Sequence, residues 1–372
     1  MERAKFCHVI DVANFNPLLY NSIKYSDRTK FEYTVISLGP TGPLQQQMQE
    51  LDVRFISFNN NSRKKALSNW WKLFRFFRKE KIQIVQTHLF DSSLIGLSAA
   101  KFATVSVRIF TGHHSHEVPL HKRKLLTYID GISGRFLANH TIAPSNDMKE
   151  IFIRYQKVPA KKIEVIPHGF DLAFWRQSAT TGTSIKKELN IEDKIVFGAT
   201  GRLFWVKDFE TLIEAFAKFS ESRNDVVLLI VGDGGDKEKL QNLISNKRAE
   251  TKIILTGRRT DIASVMNSFD VFVHTSIAES FGMVFIEAFT LGKPIISTRV
   301  GVAPDIIKDG ENGWLIASKN PGELLKALQK ALEKRNEWER IGEKNKEIAE
   351  AYTVQKTQAL CDSFYFKWLE KK

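Results

Sequence analysis

Short apolar runs alternate with helical patterns along the chain, and this alternation restricts the fold more than any other feature of the sequence. In the first half the runs are Cys7 to Val12, Tyr33 to Leu38, Val53 to Phe58, Ile82 to Thr87, Val107 to Thr111, Thr141 to Ala143 and Ile163 to Ile166. In the second they are Ile195 to Thr200, Val226 to Val231, Ile253 to Thr256, Val271 to His274, Pro294 to Ser297 and Gly313 to Ile316. Strands spaced by helices build βαβ units with parallel sheets, not sandwiches or bundles. A chain of 372 residues exceeds one ordinary core and suits two, so two doubly wound domains are expected. Gln177 to Ser184, rich in Ser, Thr, Ala and Gly, interrupts the alternation as a surface connection would, and places the boundary close to Asp171.

Charge and composition exclude several classes. An apolar content of 43% argues against disorder over most of the length. No run of about 18 apolar residues occurs, and Met1-Glu2-Arg3-Ala4-Lys5 leads into one short apolar stretch, so a cytoplasmic protein, soluble or peripheral on the inner face of a membrane, is expected. Cys7 and Cys361 are too few and too far apart for a disulfide framework or a metal knuckle. Of the net charge of +13, residues 1–172 carry 25 Lys and Arg against 14 Asp and Glu, a balance of +11. Such a surface attracts nucleic acid, anionic lipid or phosphorylated substrates, and charge alone does not choose among them.

The richest segment is Asp270 to Thr298. Val271, Phe272 and Val273 read as a buried strand, and Val284, Phe285, Ile286, Ala288, Phe289 and Leu291 as an apolar helix starting near Phe281 or Gly282. The start of such a helix offers unpaired N–H groups and a positive dipole end to a phosphate or a sugar, and Gly282 lets a ligand come close. Glu279 in the loop and Glu287 in the helix would repel a phosphate, so their natural partners are hydroxyl groups. Together these features describe a nucleotide sugar. Taken alone, two such glutamates read equally well as solvated acids.

Glu279, seven intervening residues and Glu287, followed by Ala288 and Gly292-Lys293-Pro294-Ile295-Ile296, resemble the signature of glycosyltransferase family 4, the large retaining family with the GT-B fold. Gly201-Arg202-Leu203 with Lys207-Asp208 resembles the family's diphosphate-binding segment, and Val231-Gly232-Asp233-Gly234 its next strand end. Ile166-Pro167-His168-Gly169-Phe170-Asp171 is similar to the segment that closes the amino-terminal domain, and Gly310-Glu311-Asn312-Gly313-Trp314-Leu315 to the turn after the signature helix. The matches run in family order from about Thr87 to Leu315; before Thr87 the likeness is slight. The resemblance implies two Rossmann-like domains facing across a cleft, an acceptor-side domain over residues 1–172 and a nucleotide-sugar domain over 173–353, with the last helix, 354–372, packing back on the first.

The chemistry follows. Transfer from a nucleoside diphosphate sugar builds negative charge on the departing diphosphate, which Arg202 and Lys207 are placed to neutralise. Arg grips two oxygens and Lys adds a mobile point charge. By resemblance Glu287 binds ribose hydroxyls, Glu279 binds donor-sugar hydroxyls, and Gly201 with the backbone N–H groups of Phe281, Gly282 and Met283 touches the sugar or phosphate. The family retains anomeric configuration without an evident protein nucleophile, which implies front-face attack with a diphosphate oxygen taking the acceptor's proton.

Thr111-Gly112-His113-His114-Ser115-His116 follows a strand end where the family often places a histidine facing the donor sugar, here His113 first and His114 second. A packed or solvated histidine is the plain alternative. Adjacent His113 and His114 point to opposite sides of an extended chain and make a poor chelating pair. No metal and no cofactor is expected, in keeping with GT-B enzymes.

Two features stand apart. The family commonly carries a glycine-rich loop after the first strand, whereas Asp11-Val12-Ala13-Asn14-Phe15-Asn16-Pro17 has no glycine, leaving Asn14 and Asn16 to turn the chain. The segment Arg63 to Lys79, wound as a helix, puts Leu67, Trp70, Trp71, Phe74 and Phe77 on one face and Lys65, Lys72, Arg75 and Lys79 largely opposite. The apolar face is read as core, and the basic face, aided by Lys122, Arg123 and Lys124, as a surface for anionic lipid.

The sequence thus predicts a retaining hexosyltransferase using a UDP- or GDP-sugar and a lipid-linked or glycan acceptor in surface polysaccharide or glycolipid synthesis. A GT-B nucleotide-sugar epimerase or a sugar-phosphate synthase is the rival among enzymes. A basic nucleic-acid-binding protein is the rival outside them, disfavoured because no reader motif appears.

Overall fold

The computed structural model describes residues 2–60, 65–112, 131–181 and 184–370. The chain divides into two compact units, Met1–Gly169 with Val354–Lys372, and Phe170–Thr353. In the first, seven strands, β1 (Ala4–Ile10), β2 (Phe31–Ser37), β3 (Arg54–Ser57), β4 (Ile84–His88), β5 (Val107–Thr111), β6 (His140–Ala143) and β7 (Ile163–Val165), form one sheet in the order β3-β2-β1-β4-β5-β6-β7. In the second, β8 (Ile195–Thr200), β9 (Val226–Val231), β10 (Ile253–Gly257), β11 (Val271–His274), β12 (Ile295–Thr298) and β13 (Gly313–Ile316) run in the order β10-β9-β8-β11-β12-β13. Every pairing is parallel.

The strand composition explains the layers. β8, β9, β11 and β12 are buried at every position, as strands covered by helices on both faces must be. Strand order reverses between β1 and β4 in one sheet and between β8 and β11 in the other. At such a switch point the two strand-end loops diverge and leave a crevice beyond the carboxyl ends. The first strand differs most from its sequence reading: it starts at Ala4, where pairing with Phe31 begins, and ends at Ile10 opposite Ser37. Val12 lies beyond the ladder and is exposed.

Gln177 to Ser184 is not simply a connection. Residues 177–180 finish helix Leu172–Thr180, capped by Asp171, whose Oδ1 accepts from Phe174 N at 3.0 Å. Small polar residues concealed a stripe of Leu172, Trp175 and Ala179 that turns toward the body of the unit.

Helix Ala66–Glu80 also departs from its reading. Asn69, Leu73 and Phe77 are its buried residues, while Leu67 and Trp71 face solvent. The inner position that looks polar in sequence is satisfied: Asn60 Nδ2 donates to Asn69 Oδ1 at 3.1 Å. This pair turns the helix so that part of its aromatic stripe lies outside. Lys65, Lys72, Arg75 and Lys79 are exposed, as read, whereas Lys122, Arg123 and Lys124 lie outside the described residues.

The loop without glycine borrows one from elsewhere. Ala13 O accepts from Leu44 N at 3.1 Å, and a Cβ on Gly42 would lie 2.5 Å from that oxygen. Asn16 caps helix Pro17–Lys24, accepting from Leu19 N at 3.0 Å. The last helix, Val354–Glu370, places Phe364 and Tyr365 in the core of the first unit. Among the described residues no helix is long and apolar enough to cross a membrane.

Candidate functional site

In the Phe170–Thr353 unit, the loops that follow β8 and β11 are neighbours because their strands pair at the switch point, Val271 opposite Phe197. Thr275 Oγ1 donates to Lys207 O at 2.9 Å and Ile277 N to Val206 O at 2.9 Å, fastening one loop to the other. Lys207 ends a short 3-10 turn, Trp205–Lys207, and its ammonium reaches Glu279 Oε1 at 2.5 Å. His274 Nε2 lies 3.1 Å from the same oxygen, and Ser276 Oγ donates to it at 3.0 Å.

The electrostatics of this cluster set burial against pairing. Burial pushes the Glu279 carboxyl up, but the hydrogen bond from His274 and the Lys207 ammonium outweigh it and hold the pKa at about 2. Burial likewise pushes the His274 imidazole below its ordinary value, against the upward pull of Glu279. His274 is therefore neutral, its Nε2–H donates to the carboxylate, and Lys207 supplies the opposing charge.

Glu287 stands in contrast. It lies on helix Met283–Thr290, half-buried, and its carboxylate has no hydrogen-bond or ion-pair partner among the described residues. Burial raises its pKa to about 7, with Lys207 pulling the other way. The carboxylate borders a cavity of about 570 Å³ lined also by Phe174, Trp175, Ser178, Thr260 and Asp261. Trp175 Nε1 is buried without an acceptor. An unpartnered acid at a cavity wall suits a ligand bearing hydroxyl groups.

The remaining residues are arranged by backbone geometry. Gly201 has φ +155°, and a Cβ there would lie 3.5 Å from Lys207 Cε. A Cβ on Gly232, at φ +151°, would lie 1.8 Å from Gly201 O, so the loops after β8 and β9 touch backbone to backbone. Arg202 is exposed, its guanidinium 4.9 Å from the Phe204 ring centre. The structure does not bring Arg202 and Lys207 onto one group: Lys207 is held by Glu279. Gly282 caps helix Met283–Thr290 at φ +83°, so the helix starts one residue after Gly282 and two after Phe281, the starts read from sequence. In its first turn Phe285 N donates to Gly282 O at 3.0 Å, and the N–H groups of Met283 and Val284 precede any i–4 acceptor within the helix. Phe281 is buried, and its carbonyl accepts from Val302 N at 2.8 Å. His113 and His114 lie outside the described residues.

Sequence reasoning missed His274, Ser276 and Trp175. His274 ends β11, five residues before Glu279, a strand-end position that could have signalled it. Trp175 is signalled by nothing local, since the cavity joins three separate helices.

In the other unit a cavity of about 310 Å³ opens beyond the ends of β1, β4, β5 and β6, with Ile10, Asn16, His88, Thr111 and Ile142 in its wall. It occupies the other switch point.

Comparison with known proteins bears on both units. Residues 182–348 match the family profile "Glycosyl transferases group 1", and residues 18–174 match "Glycosyltransferase Family 4". The chain is 30% identical over 272 residues to the UDP-Gal:alpha-D-GlcNAc-diphosphoundecaprenol alpha-1,3-galactosyltransferase of Escherichia coli, covering 71% of this chain and 70% of that protein. It is 29% identical over 319 residues to the alpha-monoglucosyldiacylglycerol synthase of Acholeplasma laidlawii, covering 80% and 78%. Among solved structures, Anabaena HepE in complex with UDP superimposes with a TM-score of 0.83 at 20% identity, over 98% of this chain and all of that one. The sucrose-phosphate synthase of Thermosynechococcus elongatus gives 0.76 at 17% identity, over the whole of both chains. The fold is GT-B.

Proposed function

Since the chain belongs to glycosyltransferase family 4, we propose that it moves a hexose from a UDP-sugar, with retention, to a lipid-linked or glycan acceptor in surface polysaccharide or glycolipid synthesis. The observation that carries the donor assignment is the unpartnered, half-buried carboxylate of Glu287 beside its cavity. A group so placed is stabilised by the hydroxyl donors of a ribose. UDP is preferred over GDP because the E. coli relative is named for UDP-Gal and HepE was solved with UDP and with UDP-glucose. The acceptor class rests on relatives named for diphosphoundecaprenol and diacylglycerol substrates.

In this reading the diphosphate lies against Gly201, Arg202 and the start of helix Met283–Thr290, and draws Lys207 toward it. Glu279, relieved of part of its ion pair, receives donor-sugar hydroxyls while His274 and Ser276 keep its orientation. His113 is assigned to the donor sugar by family position alone. The bond from the anomeric carbon to the diphosphate breaks as the acceptor oxygen attacks the same face, and the acceptor proton passes to a diphosphate oxygen. Arg202 and Lys207 stabilise the leaving charge.

Ligand-induced stabilisation across UDP, GDP, ADP and their sugar conjugates, repeated on Glu287→Ala, tests the donor. A shift for UDP compounds that the variant abolishes supports the site; no shift with any nucleotide overturns it. Analysis of the product then reads the stereochemistry, and inversion refutes front-face attack. Donor converted without acceptor favours the epimerase.

A further inference from the structure

The cavity of about 310 Å³ at the β1–β4 switch point is walled by one unit alone. Ile10, Ile142 and Ile166 line it from the sheet side, Leu19 from helix Pro17–Lys24, and Val354 and Cys361 from the closing helix Val354–Glu370. Among the described residues no Lys, Arg, Asp or Glu lines it. Residues 1–172 carry a balance of +11, yet that charge lies elsewhere. A phosphate drawn into this wall would lose its water and find no countercharge.

Hydrogen bonding narrows the ligand further. Gln86 is engaged at both ends of its amide, donating from Nε2 to Thr111 Oγ1 at 2.8 Å and accepting at Oε1 from Tyr365 OH at 2.8 Å. Asn16 Oδ1 accepts from Leu19 N, and Gln358 Nε2 donates to Asp362 Oδ1 at 2.7 Å. A sugar ring, with a hydroxyl on most of its carbons, would give up its water here and regain little.

One corner of the wall keeps capacity. Thr111 is buried, and its hydroxyl accepts from Gln86 while keeping a hydrogen that no described residue accepts. His88 is its register partner across β4 and β5 and also borders the cavity. The His88 ring is held from behind: its Nε2 lies 3.2 Å from Nδ1 of His8, a buried imidazole stacked on Phe6 with ring centres 4.5 Å apart. Burial pushes His8 down to about 3, so it is neutral and puts no charge behind His88.

We infer that this cavity binds an uncharged alcohol, with its hydrocarbon body against Ile10, Leu19 and Ile142 and its hydroxyl at Thr111 and His88. The space is roughly twice the 150 Å³ of a cavity that holds benzene, enough for a short chain or a bicyclic body. For transfer, this narrows the acceptor to one whose reactive hydroxyl sits on a hydrocarbon, not on a sugar or beside a phosphate. That narrowing rests on the transferase reading, whereas binding in the cavity does not.

Cys361 supplies the probe, since it lies in the wall while the other cysteine, Cys7, is sealed in the core. Burial raises its thiol to about 12, so methyl methanethiosulfonate labels it slowly, in alkaline buffer. Labelling of the full-length protein, located by peptide mass spectrometry, is followed with octanol, octyl phosphate and glycerol. Octanol at about ten times the dissociation constant read from its concentration dependence should slow labelling about tenfold, and the other two should not slow it. Thr111→Val should weaken octanol by about two- to tenfold and leave toluene, which has no hydroxyl, unchanged. Leu18→Trp, which fills the space from helix Pro17–Lys24, should abolish protection by both while UDP still stabilises the protein. If Leu18→Trp fails to fold, Thr111→Val decides the matter.

Equal protection by octyl phosphate or by glycerol overturns the ligand class, and no protection by octanol overturns the site. A protein that octanol protects but no nucleotide stabilises has lost the donor reading and kept the cavity. One that UDP stabilises and octanol does not protect has lost the cavity alone. With a donor in hand, a glycoside formed on octanol supports the narrowed acceptor, and product formed only on a phosphorylated acceptor refutes it.

Discussion

Lys207 Nζ and Glu279 Oε1 lie 2.5 Å apart across the two loops of the β8–β11 switch point, and both side chains are largely shielded from water. The pair couples the residue suited to a diphosphate with the residue suited to a sugar. A donor molecule that engages both must loosen the bond between them.

Glu279→Gln keeps acceptors for His274 and Ser276 but removes the charge opposite Lys207. Turnover is expected to fall by about tenfold or more, and stability by about 1–3 kcal/mol, since a shielded cation loses its partner. The pH dependence has a definite sign. A carboxyl held at about 2 against its usual 4.5 contributes stability that is complete above pH 4.5 and disappears as pH falls toward 2. Acid unfolding followed by circular dichroism should therefore show the wild type and variant converging below pH 4.5.

Glu287 behaves oppositely. With its pKa raised to about 7, the fold favours the protonated form, and stability declines as pH rises from 4.5 through 7. Glu287→Gln should match the wild type at pH 4 and exceed it at pH 8 by about 1 kcal/mol, a figure reduced for the carboxylate's access to water. Ribose hydroxyls donate to the ionised form, so affinity for UDP-glucose, whose diphosphate does not titrate near neutrality, should rise through pH 7 in the wild type and be flat in the variant. Calorimetric titration in two buffers of different ionisation enthalpy would detect the proton released.

Arg202→Ala should leave stability within about 0.5 kcal/mol of wild type, because the side chain is exposed. Affinity for UDP should drop by about tenfold or more, while that for uridine is unchanged. With Arg202 and Lys207 supplying the countercharge, EDTA should not alter turnover. Binding of the two ligands, and initial rates with and without chelator, decide this.

Gly232→Ala places a methyl group 1.8 Å from Gly201 O at a φ of +151°. We expect a loss of about 2–4 kcal/mol in urea unfolding, with weakened UDP binding even where the fold survives, because the Gly201 loop must move.

Much of the architecture was legible in the sequence because buried parallel strands are written as continuous β-branched and aromatic runs. β5, β8, β9, β11 and β13 occupy the residues their composition marks. The switch-point neighbours Lys207 and Glu279 were legible as separate motifs, since each follows a strand. Their mutual bond was not, because 72 residues separate them and only the strand order brings them together. Helix Ala66–Glu80 misled for a different reason. Periodicity counts apolar residues and cannot know that Asn69 will find Asn60, so Phe77, Trp70 and Phe74 meet the core as read while Leu67 and Trp71 do not. Trp175 was hidden because Gln177 to Ser184 reads as a connection, so the short helix that Asp171 starts just before it was not expected.

The closing helix Val354–Glu370 carries a cost measured in time. Tyr365 OH donates to Gln86 Oε1 at 2.8 Å across 279 residues of chain, and Phe364 and Tyr365 complete a core otherwise built from residues 6 to 166. The Phe170–Thr353 unit is continuous and can fold as it leaves the ribosome. The other must wait, its core open, until the last helix has been synthesised. A chain stalled or clipped before residue 354 would hold one finished unit and one with an unfilled apolar interior. Quality-control proteases and chaperones would meet that interior first.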